Sequence, residues 1–562
     1  MWSANRILII FVLCTNYLSH SFKALLRTTR NFRYRLNTRS NNDFKSEEDI
    51  RAEINERNEV SSNSPRELLQ DFVQLDDEIL SSLNSKRSYA SIIIERLMQA
   101  IDDYQLYNSR QPNIQDNPAS SKTKEKIVVL GSGWGAHAFL KTIDANMYDV
   151  KVISPRNHFL FTPMLAASAV GTVDFRSIIE PIRNVNALAD YVEATCDSIN
   201  FEKKIISCQS IKCEGTACGI TEFELSYNHL VIAIGASVNT FGIKGVRDYC
   251  QFLKTIEDAT NLRKSILYCF ERANVPGLSE DEITRTLSFV VVGAGPTGVE
   301  FTAELRDWLE YEGRKFYPKL LKYVQINLVE AGDSVLMVLD KKLREGALKS
   351  LISRDTALVT EGYIFKEMTQ VRLKIGVKEI DQSSVYLSNG EILPYGFCVW
   401  AAGNGPIPLV LDSVDKIQEQ KDLQSKARGR FVTDKWLRVR GAPAVYAIGD
   451  CACMDDGPLP ATAQVASQQG SYLGRLFSKG FKSFENNLDD RPPVKLNQDC
   501  DNSVVGDRVK YASESINIGE LGLKTSSGLE IAKPFQFLNL GVLAYVGNVR
   551  NHIFHHIFPS AF

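Results

Sequence analysis

A chain of 562 residues, 44% of them hydrophobic, can bury a full core and suggests roughly three or four domain-sized units. Lysine plus arginine number 65 against 67 aspartates plus glutamates, so no strong field exists to hold DNA or RNA, and a nucleic-acid partner is not expected. The cysteines form no CxxC pair, and Cys208, Cys213 and Cys218 do not have zinc-ligand spacing, so free thiols and no metal site are expected.

The first 42 residues read as a targeting segment. A short apolar run, Ile7 to Cys14, is followed by Lys23, Arg27, Arg30, Arg33, Arg35 and Arg39, with no acid before Asp43. An acid-free, arginine-rich start suits import into a mitochondrion or plastid; the apolar run also suits a secretory route. Residues 43–121 are a polar spacer with one helix expected between Pro65 and Leu106. No apolar run is long enough for a transmembrane helix.

Order is expected from Lys126. IVVLGSGWGA is a buried strand entering a glycine turn and then a helix, and YDVKVIS is the next strand. FELSYNHLVIAIG reads as a strand and Thr255 to about Ala273 as a helix. The first grammar then returns: LSFVVVGAGPTGVEFTAEL is strand, turn and helix, and YVQINLVEA is the strand after it. The expected fold is α/β, with two Rossmann-like dinucleotide-binding domains, the second inserted in the first, plus a C-terminal segment. The expected division is 122–286 and 406–480 for the first domain, 287–405 for the second, and 481–562 for a polar insert and short C-terminal segment. An EF-hand register at Asp499 fails because Val504 stands where glycine is needed.

A diphosphate needs close backbone approach and unpaired N–H groups, which a glycine turn at a helix N-terminus supplies. Gly131, Gly133 and Ala136 match GxGxxA; Gly293, Gly295 and Gly298 match GxGxxG, each after a strand. At the end of the second strand of each unit an acid normally binds the adenosine ribose. In the second unit this is Glu330, which repels a 2′-phosphate and favours NADH over NADPH. In the first it is Ser154, followed by Pro155 and Arg156, able to bind a ribose without charge. VYAIGDCA brings Gly449 and Asp450, an acid placed to bind a ribityl hydroxyl; helix capping is the rival reading. VIAIGA, with Ala233 and Gly235, and VWAAGN, with Ala402 and Gly403, end short strands where backbone can approach a cofactor or simply turn.

The stretch SPRNHFLFTPML (Ser154 to Leu165) resembles the type II, single-subunit alternative NADH:quinone oxidoreductases. GSGWGA, NTFGIKGV, FVVVGAGPTGVEF, VWAAGN, AIGDCA and AQVASQQ follow in the same family order, and the resemblance covers about residues 124–477 plus LGVLAYVG. It implies non-covalent FAD with NADH on one side and quinone on the other, and no metal. It implies that Gly131, Gly133, Gly135, Arg156, Thr162, Pro163 and Asp450 contact FAD and that Gly295, Gly298, Glu300 and Glu330 serve NADH. Glu300 would position or exchange a proton at the hydride step; a first-turn glutamate favoured by the helix dipole is the rival. Ala463, Gln464, Ala466, Gln468 and Gln469 match the family's quinone motif, in which neutral amides donate to a carbonyl without stranding a charge.

The activity so implied is hydride transfer from NADH to FAD and two electrons onward to ubiquinone without proton pumping, at a mitochondrial inner-membrane surface, with a homodimer possible. A protein like apoptosis-inducing factor, with a binding or assembly role, and a sulfide:quinone oxidoreductase are the alternatives. Residues 137–165 hold no cysteine, which disfavours a disulfide reductase. Ile553, Phe554, Ile557 and Phe558 give the tail a short apolar face, too brief for firm anchoring.

Overall fold

The computed structural model describes residues 124–214, 217–352, 368–483, 492–496, 521–524, 529–539, 542–547 and 552–555. All fall within the compact unit Asp76–Phe562. The targeting segment, the spacer helix and the Asp499 register lie outside the described residues.

Short apolar runs rich in valine and isoleucine form the strands that position the site. In chain order these are β1 (Glu125–Leu130), β2 (Tyr148–Ser154), β3 (Asp190–Glu193), β4 (His229–Ile232), β5 (Ser288–Val292), β6 (Gln325–Val329), β7 (Thr369–Arg372), β8 (Phe397–Trp400) and β9 (Val445–Ala447). Every residue of β5 and β8 is buried, as strands covered on both faces of a parallel sheet must be. One sheet has the order β9-β4-β1-β2-β3 and the other β7-β6-β5-β8, parallel throughout. Strand β9 joins β4 only after the second sheet is complete, so the second domain is inserted in the first.

Four helices flank the glycine turns and carry the motif glutamines: α1 (Trp134–Thr142), α2 (Ile256–Ala273), α3 (Pro296–Trp308) and α4 (Ala463–Ser478). Helix α2 begins in a capping box between Thr255 and Asp258, which fixes its start where the sequence places it. One core cluster joins Leu165, Ala169, Leu262 and Phe270 to Phe289 and Val299, so the two domains share buried surface.

Two readings change. FELSYNHLVIAIG is not one strand: Ala217–Ser226 pairs antiparallel with Ile205–Glu214, and β4 begins afresh in the parallel sheet. Between them the Tyr227 and Asn228 amides donate to the carbonyls of Lys204 and Lys126, turning the chain from one sheet to the other. In the tail, where a short apolar face is expected, His552–His555 is a strand paired with Val542–Tyr545, so Ile553 and Phe554 belong to a hairpin. The isoleucine and phenylalanine there suit a strand as well as an apolar helix face. Ile557 and Phe558 lie outside the described residues.

Helix α4 lies directly on α1. A Cβ at Gly470 would sit 2.1 Å from the Gly135 carbonyl oxygen, and one at Gly474 2.1 Å from Thr142 Oγ1. The absence of a side chain at these two positions lets the backbones touch. Gly470→Ala is expected to lower stability by about 1–3 kcal/mol, the usual cost of overpacking. Thermal denaturation checks this; an unchanged melting temperature would show that the helices can part freely.

Candidate active site

The two glycine turns are built alike. Gly131 has φ +107° and Gly293 φ +102°. The Gly131 amide donates to Ile153 O at 2.8 Å and the Gly293 amide to Val329 O at 2.8 Å, each tying its turn to the next strand. A Cβ on Gly131 would stand 2.4 Å from Ala233 O, and one on Gly293 2.8 Å from the Ala402 nitrogen. Gly298 lets α3 close on its own turn, since a Cβ there would meet Gly293 O at 1.9 Å. By contrast Gly133 and Gly295, the N-caps of α1 and α3, would each point a Cβ into open space. Neither helix has a side-chain cap, whereas α2 and α4 begin on threonine caps. Helix starts without a side-chain cap, beside N-cap glycines with open space, fit a diphosphate at both turns.

The strand ends beside the turns meet at one residue. Lys254 Nζ donates to Ala236 O at 3.1 Å, just beyond Gly235, and to Asn404 Oδ1 at 2.8 Å, just beyond Gly403. Ser237–Val238 pairs with Asn404–Gly405 alongside. Burial lowers the Lys254 pKa, opposed by the Asp450 charge. Burial raises the Asp450 pKa, with Lys254 and Arg430 opposing. The Asp450 carboxylate and the Arg156 guanidinium, both half-buried, make no hydrogen bond or ion pair among the described residues. An acceptor and a forked donor free beside a glycine turn fit the ribityl and phosphate groups of a flavin dinucleotide. Trp134 Nε1 donates to Thr162 Oγ1 at 3.0 Å and its ring meets Phe159 edge-on, which holds the exposed Thr162–Pro163 step over the start of α1.

Ser154 has a different employment from the ribose contact expected of it. It is 2% exposed, donates to Ser132 Oγ at 3.0 Å and accepts the Arg156 amide at 3.2 Å, so it fastens β2 to the first turn. Glu330 likewise braces its turn: Oε2 accepts the Ala294 amide at 2.6 Å and Oε1 the Gly332 amide at 2.7 Å. Each carboxylate oxygen keeps a lone pair for a ribose hydroxyl. Two buried thiols, Cys451 and Cys398, are not poised for chemistry. Cys451 donates to the carbonyls of Ile232 and Ile448, and burial pushes its pKa up to about 11; Cys398 is buried 3.5 Å from the Cys250 sulfur.

Helix α4 ties the site to the C-terminal segment. Gln469, 3% exposed, accepts the Gly449 amide at 2.7 Å and so pins the Asp450 turn. Gln468 is not a free donor: Nε2 donates to Leu538 O at 2.8 Å and Oε1 accepts the Leu538 amide at 3.0 Å. A segment with unpaired backbone takes the amide that the sequence assigns to a quinone. Ala463 and Gln464 sit half-buried in the first turn of α4.

The family model "Pyridine nucleotide-disulphide oxidoreductase" matches residues 125–470. The chain is 39% identical over 72% of its length to an external alternative NAD(P)H-ubiquinone oxidoreductase B3, mitochondrial, of Arabidopsis thaliana, of which the match covers 71%. It is 40% identical over 61% of its length to the Solanum tuberosum B1 protein of the same description, and spans 57% of that relative. The NDH2 structure from Plasmodium falciparum in complex with NADH superposes with a TM-score of 0.60 at 26% identity, over 76% of this chain and 89% of that one.

The chain belongs to the type II NADH:quinone oxidoreductases.

Within this type II fold, sequence reasoning missed Lys254, Gly470 and Gly474. The GxxxG spacing of Gly470 and Gly474 was available as a signal; Lys254 had none, because its partners come together only in the fold. Glu300 lies in the first turns of α3 beneath the C-terminal hairpin. Burial raises its pKa to about 8, with the Tyr545 backbone amide opposing and Glu304 adding. Glu304, one turn on, is raised to about 7 by burial, and Thr172 Oγ1 donates to it at 3.4 Å.

The native state therefore keeps the Glu300 proton at pH values where the unfolded chain, with an ordinary value of 4.5, has lost it. That contribution is complete below 4.5 and disappears as pH rises through about 8. Glu300→Gln should match the wild type in thermal stability near about pH 5 and exceed it near about pH 9. A variant less stable than wild type at the higher pH would contradict the burial of this carboxyl.

Proposed function

We propose that this chain oxidises NADH and passes the two electrons to ubiquinone or a related quinone, as a non-pumping entry to a respiratory chain. The observation that carries the reading is the pair of uncapped glycine turns whose strand ends are joined by Lys254. FAD, held non-covalently at the first turn, supplies the two-electron relay between the pyridine nucleotide and the quinone. Around it, Gly131, Gly133 and Gly135 bring backbone N–H groups to the diphosphate, Arg156 adds a forked donor and Asp450 accepts a ribityl hydroxyl. At the second turn Gly295 and Gly298 admit the NADH diphosphate and Glu330 accepts the ribose hydroxyls. Glu300, half-buried and holding a proton at its carboxyl near neutral pH, is the residue we assign to position NADH or exchange a proton at the hydride step.

We assign the quinone contact to Gln464, the motif amide half-buried in the first turn of α4. Gln468 serves by holding Leu538 against α4. The acid-free leader and the mitochondrial relatives support a mitochondrial location. No helix among the described residues is long and apolar enough to cross a membrane; attachment at the membrane surface is part of the same proposal.

The test is steady-state NADH oxidation with a short-chain ubiquinone as acceptor. Quinone-dependent turnover is expected; slow oxidation unmoved by quinone would point instead to a binding or assembly role. In the same assay Glu330→Gln should narrow the preference for NADH over NADPH by roughly tenfold, the size of one charge-assisted hydrogen bond. Unchanged selectivity would remove Glu330 from the ribose site.

A further inference from the structure

Phe241 is held where an aromatic residue gains little from the fold. Its φ is +51°, in the left-handed region that side chains avoid, and it is 61% exposed. Three hydrogen bonds enforce the position. The Phe241 amide donates to Asn239 Oδ1 at 2.8 Å, the Asn239 amide to Gly403 O at 3.2 Å, and Trp400 Nε1 to Asn239 O at 3.0 Å. The ring comes to rest against Gly403: a Cβ there, at φ +73°, would meet Phe241 Cζ at 2.5 Å. Gly403 follows Ala402, whose backbone is the wall of the second glycine turn, and precedes Asn404, which holds Lys254. A strained backbone fixed by its surroundings, presenting an exposed ring beside a nucleotide turn, is the pattern of a residue kept for a ligand rather than for packing.

We propose that Phe241 is a positioning residue for NADH, its ring forming the wall over Gly403 against which the nicotinamide half of the coenzyme lies. This rests on the reading of the second turn as the NADH site. A dinucleotide whose diphosphate sits at Gly295 and whose reactive ring must reach the first domain passes the ends of β5 and β8, where Gly403 and the Phe241 ring stand. A flat exposed ring there stacks on a pyridine and sets its approach, and stacking of this kind is worth a few-fold to about tenfold in affinity.

The test compares Phe241→Ala, Phe241→Gly and Phe241→Tyr in the flavin-loaded protein, measuring dissociation constants and melting temperature. NAD+ is the non-reducing probe, and ADP-ribose, which lacks the nicotinamide, is the control. Both truncations should weaken NAD+ by roughly three- to tenfold and leave ADP-ribose unchanged. Tyrosine should keep the wild-type value. Glycine, free to adopt the positive φ, should melt no lower than alanine.

NAD+ binding unchanged in both truncations would overturn the proposal. So would equal weakening of ADP-ribose, or weakening confined to alanine together with a lower melting temperature, since each assigns the ring to the fold or to another part of the nucleotide. Failure of the wild type to bind either probe would instead remove the NADH site itself.

Discussion

A helix that starts on glycine without a cap leaves its first N–H groups without a side-chain partner, available to an anion that docks there. This protein contains the arrangement twice. In α1 and α3 the first glycine of the turn is pressed against a neighbouring strand end, while the N-cap glycine faces open space. Much of the surrounding structure serves to keep these two helix starts in place. Ser154 and Glu330 brace the turns from the next strand, Gly470 and Gly474 let α4 lie on α1, and Gln469 holds the Asp450 turn against the same helix.

What could be read from the residues was what short-range geometry dictates. A valine-rich run entering GxGxxG leaves few conformations open, so both turns, their strands and the return strand at Val445 were legible, as was the insertion of one domain in the other. Side-chain partnerships made by the fold were not. Ser154 looked like a ribose ligand because of where it ends β2, yet Ser132, 22 positions earlier, takes its hydroxyl. Gln468 looked like a quinone donor because of its motif, yet Leu538, 70 positions later, occupies both ends of its amide. Lys254 carries no local pattern; its importance comes from standing between two strand ends far apart in the chain, Ala236 and Asn404. Periodicity cannot report contacts at such separations.

The C-terminal segment is tied to two of the helices of the candidate site. Gln468 fixes it at Leu538 on α4, and Tyr472 donates to Lys533 O at 2.7 Å beside that point. Farther on, Tyr545 donates to Asp307 on α3, and Ser350 Oγ to Val546 O at 3.2 Å. The segment therefore touches the helix of the quinone motif and the helix that carries Glu300. Its backbone amide at Tyr545 opposes the raised pKa of that carboxyl. The carboxyls of Glu300 and Glu304 stand half-buried along one face of α3, where burial raises both pKa values toward the neutral range.

We propose that the two helix starts serve one shared cleft, with electrons entering from the nucleotide at the second turn and reaching a flavin at the first. Anaerobic titration of the purified protein with NADH, followed by its flavin absorbance, tests this most directly. Bleaching complete at one NADH per bound flavin is expected. Saturable NADH binding that leaves the flavin absorbance unchanged would show that the two sites do not communicate and would contradict the proposal.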